Sequence, residues 1–127
     1  MRTMVRWFIV VVVVGHGLIH LLGAAKGLGW AEMAALPEPI GPAMGLAWLA
    51  AAAAVVATGV LLAIQNRRWW VAGTAGVVLS QTVILPSWND ATAGTVANVL
   101  LPAALGGTFA SPHPTIHPSE SQPRRRA

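Results

Sequence analysis

The sequence predicts an all-α protein: a bundle of four transmembrane helices, both termini cytoplasmic, followed by a disordered C-terminal tail. Composition is the first of three observations behind this. Hydrophobic residues make up 55% and charged residues 9% of the 127 positions, against about 25% charged in ordinary soluble domains, and the mean hydropathy is +0.63. Lipid is the solvent that suits such a chain. The second observation is a series of apolar runs approaching the ~20 residues a spanning helix needs, too long and too numerous for a soluble core of this size. The third is the placement of the basic residues, which all fall on one side if there are four spans.

The first span covers about residues 7–25. Arg2 and Arg6 precede Trp7-Phe-Ile-Val-Val-Val-Val-Val14, and the apolar character continues through His16 and His20 to Ala25. A cleavable signal peptide has the same basic-then-apolar order, but two histidines and a run of about 19 apolar residues are both wrong for an h-region. Gly27, Gly29, Pro37, Pro39, Gly41 and Pro42 punctuate the longest connection, in which Trp30 to Leu36 is long enough for one or two helical turns at the interface. The second span, 44–64, has alanines from Ala50 to Ala54 at its centre; small side chains let membrane helices approach closely, and that face invites a partner.

Gln65-Asn66-Arg67-Arg68 is a tight turn, and Trp69 and Trp70 stand where an aromatic belt would. The third span, 69–85, is near the lower length limit and is closed by Pro86. Pro86 to Thr92 reads as a loop holding Trp88 and Asp90, the single aspartate. The fourth span, 93–108, contains Thr95, Asn98 and the bending Pro102. Residues 1–109 thus form the membrane domain. The remainder, 110–127, is rich in Pro and Ser, has little to bury and ends in Arg124-Arg125-Arg126, suited to anionic headgroups.

Orientation comes from counting. Arg2 and Arg6, Arg67 and Arg68, and the three terminal arginines lie on one side, while the other connections carry Lys26 against Glu32, Glu38 and Asp90. The positive-inside rule puts both termini in the cytoplasm of a multi-pass protein of the inner (plasma) membrane. Membrane orientation accounts for the net charge of +4, and no nucleic-acid partner is expected. The absence of cysteine removes thiolate metal sites, cysteine nucleophiles and disulfides. No Gly-rich phosphate loop, Ser/His/Asp arrangement or intramembrane acidic pair is present, which argues against an ATPase, a hydrolase or a proton-coupled exporter.

The unusual stretch is Gly15-His-Gly-Leu-Ile-His-Leu-Leu-Gly23. Positions 16, 20, 23 and 27 share a helix face, so His16 and His20 lead into a stripe of glycines that should turn toward the other helices, since an imidazole facing hydrocarbon leaves its nitrogens unpaired. At about 1.5 Å per residue, His16 lies near mid-membrane beside Asn98, and His20 lies further out, level with Ser80, Gln81 and Thr95. The expected ligand-binding set is His16, His20, Gln81, Asn98 and Asp90, lining a polar pocket in the outer half. Two further expectations are that His16 pairs with Asn98 and that His20 faces the ligand within reach of Asp90 and Gln81.

The plainer alternative is that these groups only hydrogen-bond neighbouring helices, each bond worth about 0.6–2 kcal/mol. A divalent metal on His16, His20 and Asp90 fits the His-x-x-x-His spacing, with three ligands the minimum. One haem cannot be held from opposite sides by two rings leaving one face. A quinone needs only a histidine donor, an amide and an apolar cleft.

Three blocks resemble a group of small, uncharacterised bacterial four-helix integral membrane proteins: Gly15 to Gly23, Pro42-Ala-Met-Gly-Leu-Ala-Trp48, and Ser80-Gln81 through Trp88-Asn-Asp-Ala91 to Gly94-Thr-Val-Ala-Asn98. More distantly, the size, four spans and Gly/His-rich end of span one are similar to the DoxX-like proteins. The resemblance covers about residues 5–107. It implies a redox-accessory role as a membrane subunit of a quinone-dependent oxidoreductase, and it transfers no catalytic residue. Taken together, the expected function is that of a non-catalytic subunit or small-ligand-binding protein, in a homo-oligomer or larger membrane complex. The alternative is an oxidoreductase component using quinone or a metal at His16 and His20.

Overall fold

Apolar runs broken by glycine, proline and arginine give four helices, and the computed structural model describes residues 2–34 and 36–109 as α1 (Arg2–Gly27), α2 (Pro42–Ala63), α3 (Trp69–Ile84) and α4 (Trp88–Phe109). The side chains of Arg2, Asp90, Thr92, Leu101 and residues 104–109 are outside the description, as is the whole of 110–127 with its two histidines and three arginines. No strand occurs among the described residues. α1 and α2 are long and apolar enough to cross a membrane, and only 33% and 39% of their most apolar windows are buried within the protein. A core helix of a soluble protein would be mostly covered. α3 is apolar but shorter, with 16 residues.

Each helix packs antiparallel to the one before it. On α1 and α2, Gly27 meets Gly45, Gly23 meets Trp48, and Val14 meets Gly59. On α2 and α3 the pairs are Val55 with Gly76 and Thr58 with Gly73. On α3 and α4, Ile84 lies on Gly94. α4 returns to α1 at only a few points. The upper end, carrying the 28–41 connection and the 85–87 turn, has a core of Ala24, Trp48, Ala51, Val83 and Ile84. The lower end has a core of Ile9, Val10, Val13, Val55 and Leu62. Outward faces stay apolar on every helix: Phe8 and Val11, Leu46 and Val60, Val71 and Val78, Val96 and Leu100 are all half exposed or more.

The α1–α2 contact is set by absent side chains. A Cβ on Gly27 would stand 2.5 Å from the Gly45 Cα, and one on Gly23 would stand 2.3 Å from the Trp48 ring. Ala51 and Ala52 are buried within the chain. Of the small run on α2, Ala51 and Ala52 face the chain's own helices, while Ala50 and Ala53 are exposed.

Both α1 and α2 end in the same hydrogen-bond pattern, with the final carbonyls taken up by N–H groups just beyond the helix. After α1, Gly29 N–H donates to Lys26 O and Trp30 N–H to Ala25 O, with Gly29 at φ 70°. After α2, Gln65 N–H donates to Leu62 O and Asn66 N–H to Leu61 O, but the left-handed position, φ 56°, belongs to Gln65. A side chain there carries a steric cost that glycine avoids.

Two local differences from the sequence expectation have simple causes. The stretch from Trp30 to Leu36 contains no helix among its described residues, only a turn in which Leu36 N–H donates to Met33 O. The Lys26 ammonium holds this connection in place by donating to the carbonyls of Leu36 and, at 2.7 Å, Glu38. The supposed loop around Asp90 is helix. Ser87-Trp-Asn-Asp90 puts a cap-favouring serine just before the first helical residue and an acidic residue in the first turn, and Ala91 N–H already donates to Ser87 O at 2.9 Å. α4 therefore starts five residues earlier than the expected span.

Two substitutions test this packing by thermal unfolding in mild detergent. Gln65→Gly should stabilise the protein by about 0.5–1 kcal/mol through relief of the left-handed backbone. Gly27→Val should destabilise it by about 1–3 kcal/mol or more, since the Gly45 backbone cannot yield.

Candidate functional site: a polar cluster shared by three helices

The polar residues of α1, α3 and α4 meet in one hydrogen-bonded cluster. His16 and His20, four positions apart on α1, stack edge to face with ring centroids 4.7 Å apart. α3 supplies Ser80 and Gln81, and α4 supplies Thr95 and Asn98, one turn apart.

Asn98 is the hub. Its Oδ1 accepts from His16 Nε2 at 3.2 Å, and its Nδ2 donates to Ser80 Oγ at 2.8 Å and to Gln81 Oε1 at 3.3 Å. Gln81 Nε2 in turn donates to Thr95 Oγ1 at 3.2 Å. Ser80 Oγ and His20 Nε2 share the shortest bond of the set, 2.7 Å. Burial is deep at the centre: Ser80 is 0%, His20 2% and Asn98 5% exposed. His16, Gln81 and Thr95 are partly open.

Three other hydroxyls of the helices have a duller role. Thr58, Thr74 and Thr82 donate to the carbonyl four residues back, at Ala54, Trp70 and Val78. Ser80 instead spends its hydroxyl on the cluster.

On the far side of His20 stands Trp48, 3% exposed, its ring perpendicular to the imidazole at a centroid distance of 5.3 Å. Gly23 makes room for it, since no side chain larger than hydrogen fits between α1 and the indole. His20 Nδ1 and Trp48 Nε1 are buried without a hydrogen-bond partner.

Of the five expected site residues, His16, Gln81 and Asn98 come together, with His16 on Asn98 as the depth count anticipates. His20 joins them through Ser80 rather than through Gln81. Asp90 lies in the first turn of α4, and its side chain is outside the described residues, so its part in a metal site with His16 and His20 is not defined. Among the described residues no group of three His, Cys, Asp or Glu gathers. Ser80 and Thr95, placed level with His20 from sequence but outside the expected binding set, belong to the cluster too, and Trp48 is the neighbour that sequence reasoning missed; Ser80 and Trp48 are marked by the buried faces they occupy. Their signal is periodicity: Gly76, Ser80, Val83 and Ile84 form the buried face of α3, and Gly45, Trp48, Ala52 and Val55 lie along that of α2.

The upper mouth of this region is strapped. Asn89 Nδ2, from the first turn of α4, donates to Glu38 Oε1 at 2.8 Å, and the Glu38 carbonyl accepts from Lys26 of α1.

No family model, curated protein or solved structure matches the chain. The chemistry has to come from the geometry: a buried chain of donors and acceptors that carries hydrogen bonds from α1 to α4 and α3.

His16→Leu strands the Asn98 carbonyl oxygen and should lower stability by about 1–3 kcal/mol, the cost of an unmet buried polar group. The double substitution His16→Leu with Asn98→Leu should cost less than the sum of the two singles, because both partners of one bond are then gone. Unfolding in detergent of the wild type, the two singles and the double measures this coupling; additive effects would mean that the pair does not clasp α1 to α4.

Proposed function

We propose that this chain is a small, non-catalytic integral membrane protein of four spans, both termini cytoplasmic, that binds an amphipathic ligand at the polar cluster and serves as a subunit of a membrane assembly or a homo-oligomer. The observation that carries the binding role is His20. One histidine, His16, suffices to clasp α1 to α4, and Ser80, Gln81, Thr95 and Asn98 already bridge α3 and α4. His20 adds a second buried imidazole with one nitrogen left over. Polar groups at such depth are costly in lipid, and a surplus one points to use rather than to packing.

The four-span reading draws support from the outward faces, since α3 and α4 present Val71, Val78, Val96, Val99 and Leu100 as openly as α1 and α2 present their own apolar side chains. Water would not tolerate an apolar surface continued over four helices. At 16 residues α3 is about 24 Å long, shorter than the ~30 Å hydrocarbon layer, so the bilayer thins beside it. The signal-peptide alternative loses ground because α1 supplies Ile9, Val10 and Val13 to the lower core. Support for binding rather than catalysis is that both Nε2 atoms are committed to protein partners.

A second reading, an oxidoreductase component using quinone, rests on the same spare nitrogen of His20 and on the resemblance to DoxX-like proteins.

The deciding experiment is mass analysis of protein extracted in mild detergent. A lipid-soluble molecule should be retained by the wild type and lost from His20→Leu, in a particle larger than one chain plus micelle. Wild type free of any bound molecule would sink the binding role, and a clean monomer in every mild detergent would sink the assembly role. Topology is checked separately: cytoplasmic reporters should be active when fused at Asn66 or after Phe109 and silent when fused at Ala34.

A further inference from the structure

Hydrogen-bond polarity fixes which atoms of the cluster are spare. Asn98 turns Oδ1 toward His16 Nε2, so His16 carries its proton on Nε2 and donates it. The Asn98 amide then gives one N–H to Ser80 Oγ and the other to Gln81 Oε1. Having accepted from Asn98, the Ser80 hydroxyl still has its own proton to place. It does not return it to its own helix, as Thr58, Thr74 and Thr82 do. The remaining partner is His20 Nε2 at 2.7 Å, which must therefore be an acceptor. A neutral imidazole that accepts at Nε2 donates at Nδ1. The chain of bonds thus runs one way, from His16 through Asn98 and Ser80 to His20, and ends in an N–H at Nδ1.

That N–H is buried without a partner, and so is the indole N–H of Trp48, whose ring touches the same imidazole. An indole nitrogen can only donate. Two unpaired donors on adjoining rings, one on α1 and one on α2, make the same demand on whatever lies beside them. Leaving both unmet is costly, and an acceptor oxygen carries two lone pairs, one for each donor. Building on the cluster as a ligand site, we infer that the ligand-facing part is this edge, His20 Nδ1 with Trp48 Nε1, and that it takes one hydrogen-bond-accepting oxygen, the oxygen of a carbonyl group or of a water. Ligands whose polar end can only donate, and cations, are excluded by the two N–H groups. On the opposite side, the Asn98 amide is committed to His16, Ser80 and Gln81 within the protein.

The test uses the full-length wild-type chain in lipid nanodiscs, labelled with ¹⁵N at histidine and tryptophan. Trp48→Phe assigns the indole resonance, and contacts to Gly23 assign it independently should that variant not accumulate. The probe is decan-2-one, a carbonyl on an apolar tail, with decane as its control. His20 should show its proton on Nδ1, and the Trp48 indole proton and His20 Nδ1 should both shift with decan-2-one and stay fixed with decane. That result supports the donor pair with a carbonyl as its acceptor. Cross-peaks from both groups to water, unaltered by the ketone, support the donor pair with water as its acceptor and count against ligand binding at the cluster. A proton on His20 Nε2, or an indole proton that neither contacts water nor responds to the ketone, overturns the inference. A retained molecule in the mass analysis would then still leave the cluster a ligand site, reached through other atoms.

Discussion

The bond between His16 and Asn98 joins what would otherwise be two poorly connected ends of one chain. α1, α2 and α3 follow one another through seams of glycine and alanine, and α3 and α4 through Ile84 against Gly94. Between α4 and α1 there is little packing, and the described polar link across the middle is His16 on Asn98. The same amide holds Ser80 and Gln81 of α3, so the placement of three helices depends on four atoms of one side chain. Dispersion between small residues holds the α1–α2 pair, whereas directional bonds hold α4. In the proposed bilayer setting this division is sensible, because lipid offers no contrast that would press apolar faces together.

A cluster of this kind is costly to leave incomplete and gains little once complete. Each satisfied interhelical bond contributes on the order of 1 kcal/mol, while a broken one exposes a buried donor or acceptor to the full penalty. Specificity is the main return. Gly23 under Trp48 and Gly27 against Gly45 fix the register of α1 on α2, and Asn98 fixes that of α4 by reaching His16, Ser80 and Gln81 together.

Much of this was legible in the sequence. Four apolar segments gave four helices, and counting residues inward put His16 and Asn98 at one level. Glycine spacing on α1, with Gly23 and Gly27 in line with the histidines, marked the face that meets α2. Other features depend on pairings that no single helix records. Ser80 looks weaker than Gln81 as a polar contact, yet it sits on the buried face with Gly76 and Ile84, and only the approach of α4 and α1 makes it the junction. Trp48 resembles an interface anchor until Gly23 is seen to lie beneath it. The start of α4 was hidden because Pro86, Ser87, Asn89 and Asp90 have loop composition and helix-capping order at once.

The strap at the upper mouth has a mechanical consequence. Lys26 at the end of α1 and Asn89 at the start of α4 both hold Glu38, one by its carbonyl and one by its carboxylate. Together with the His16–Asn98 bond, this fastens the two helices at the top and the middle. Ala91 of α4 also packs on the upper core, while the described lower core is built from α1, α2 and Trp69 of α3. Parting α4 from α1 therefore requires one of the two strap bonds and the His16–Asn98 bond to break together.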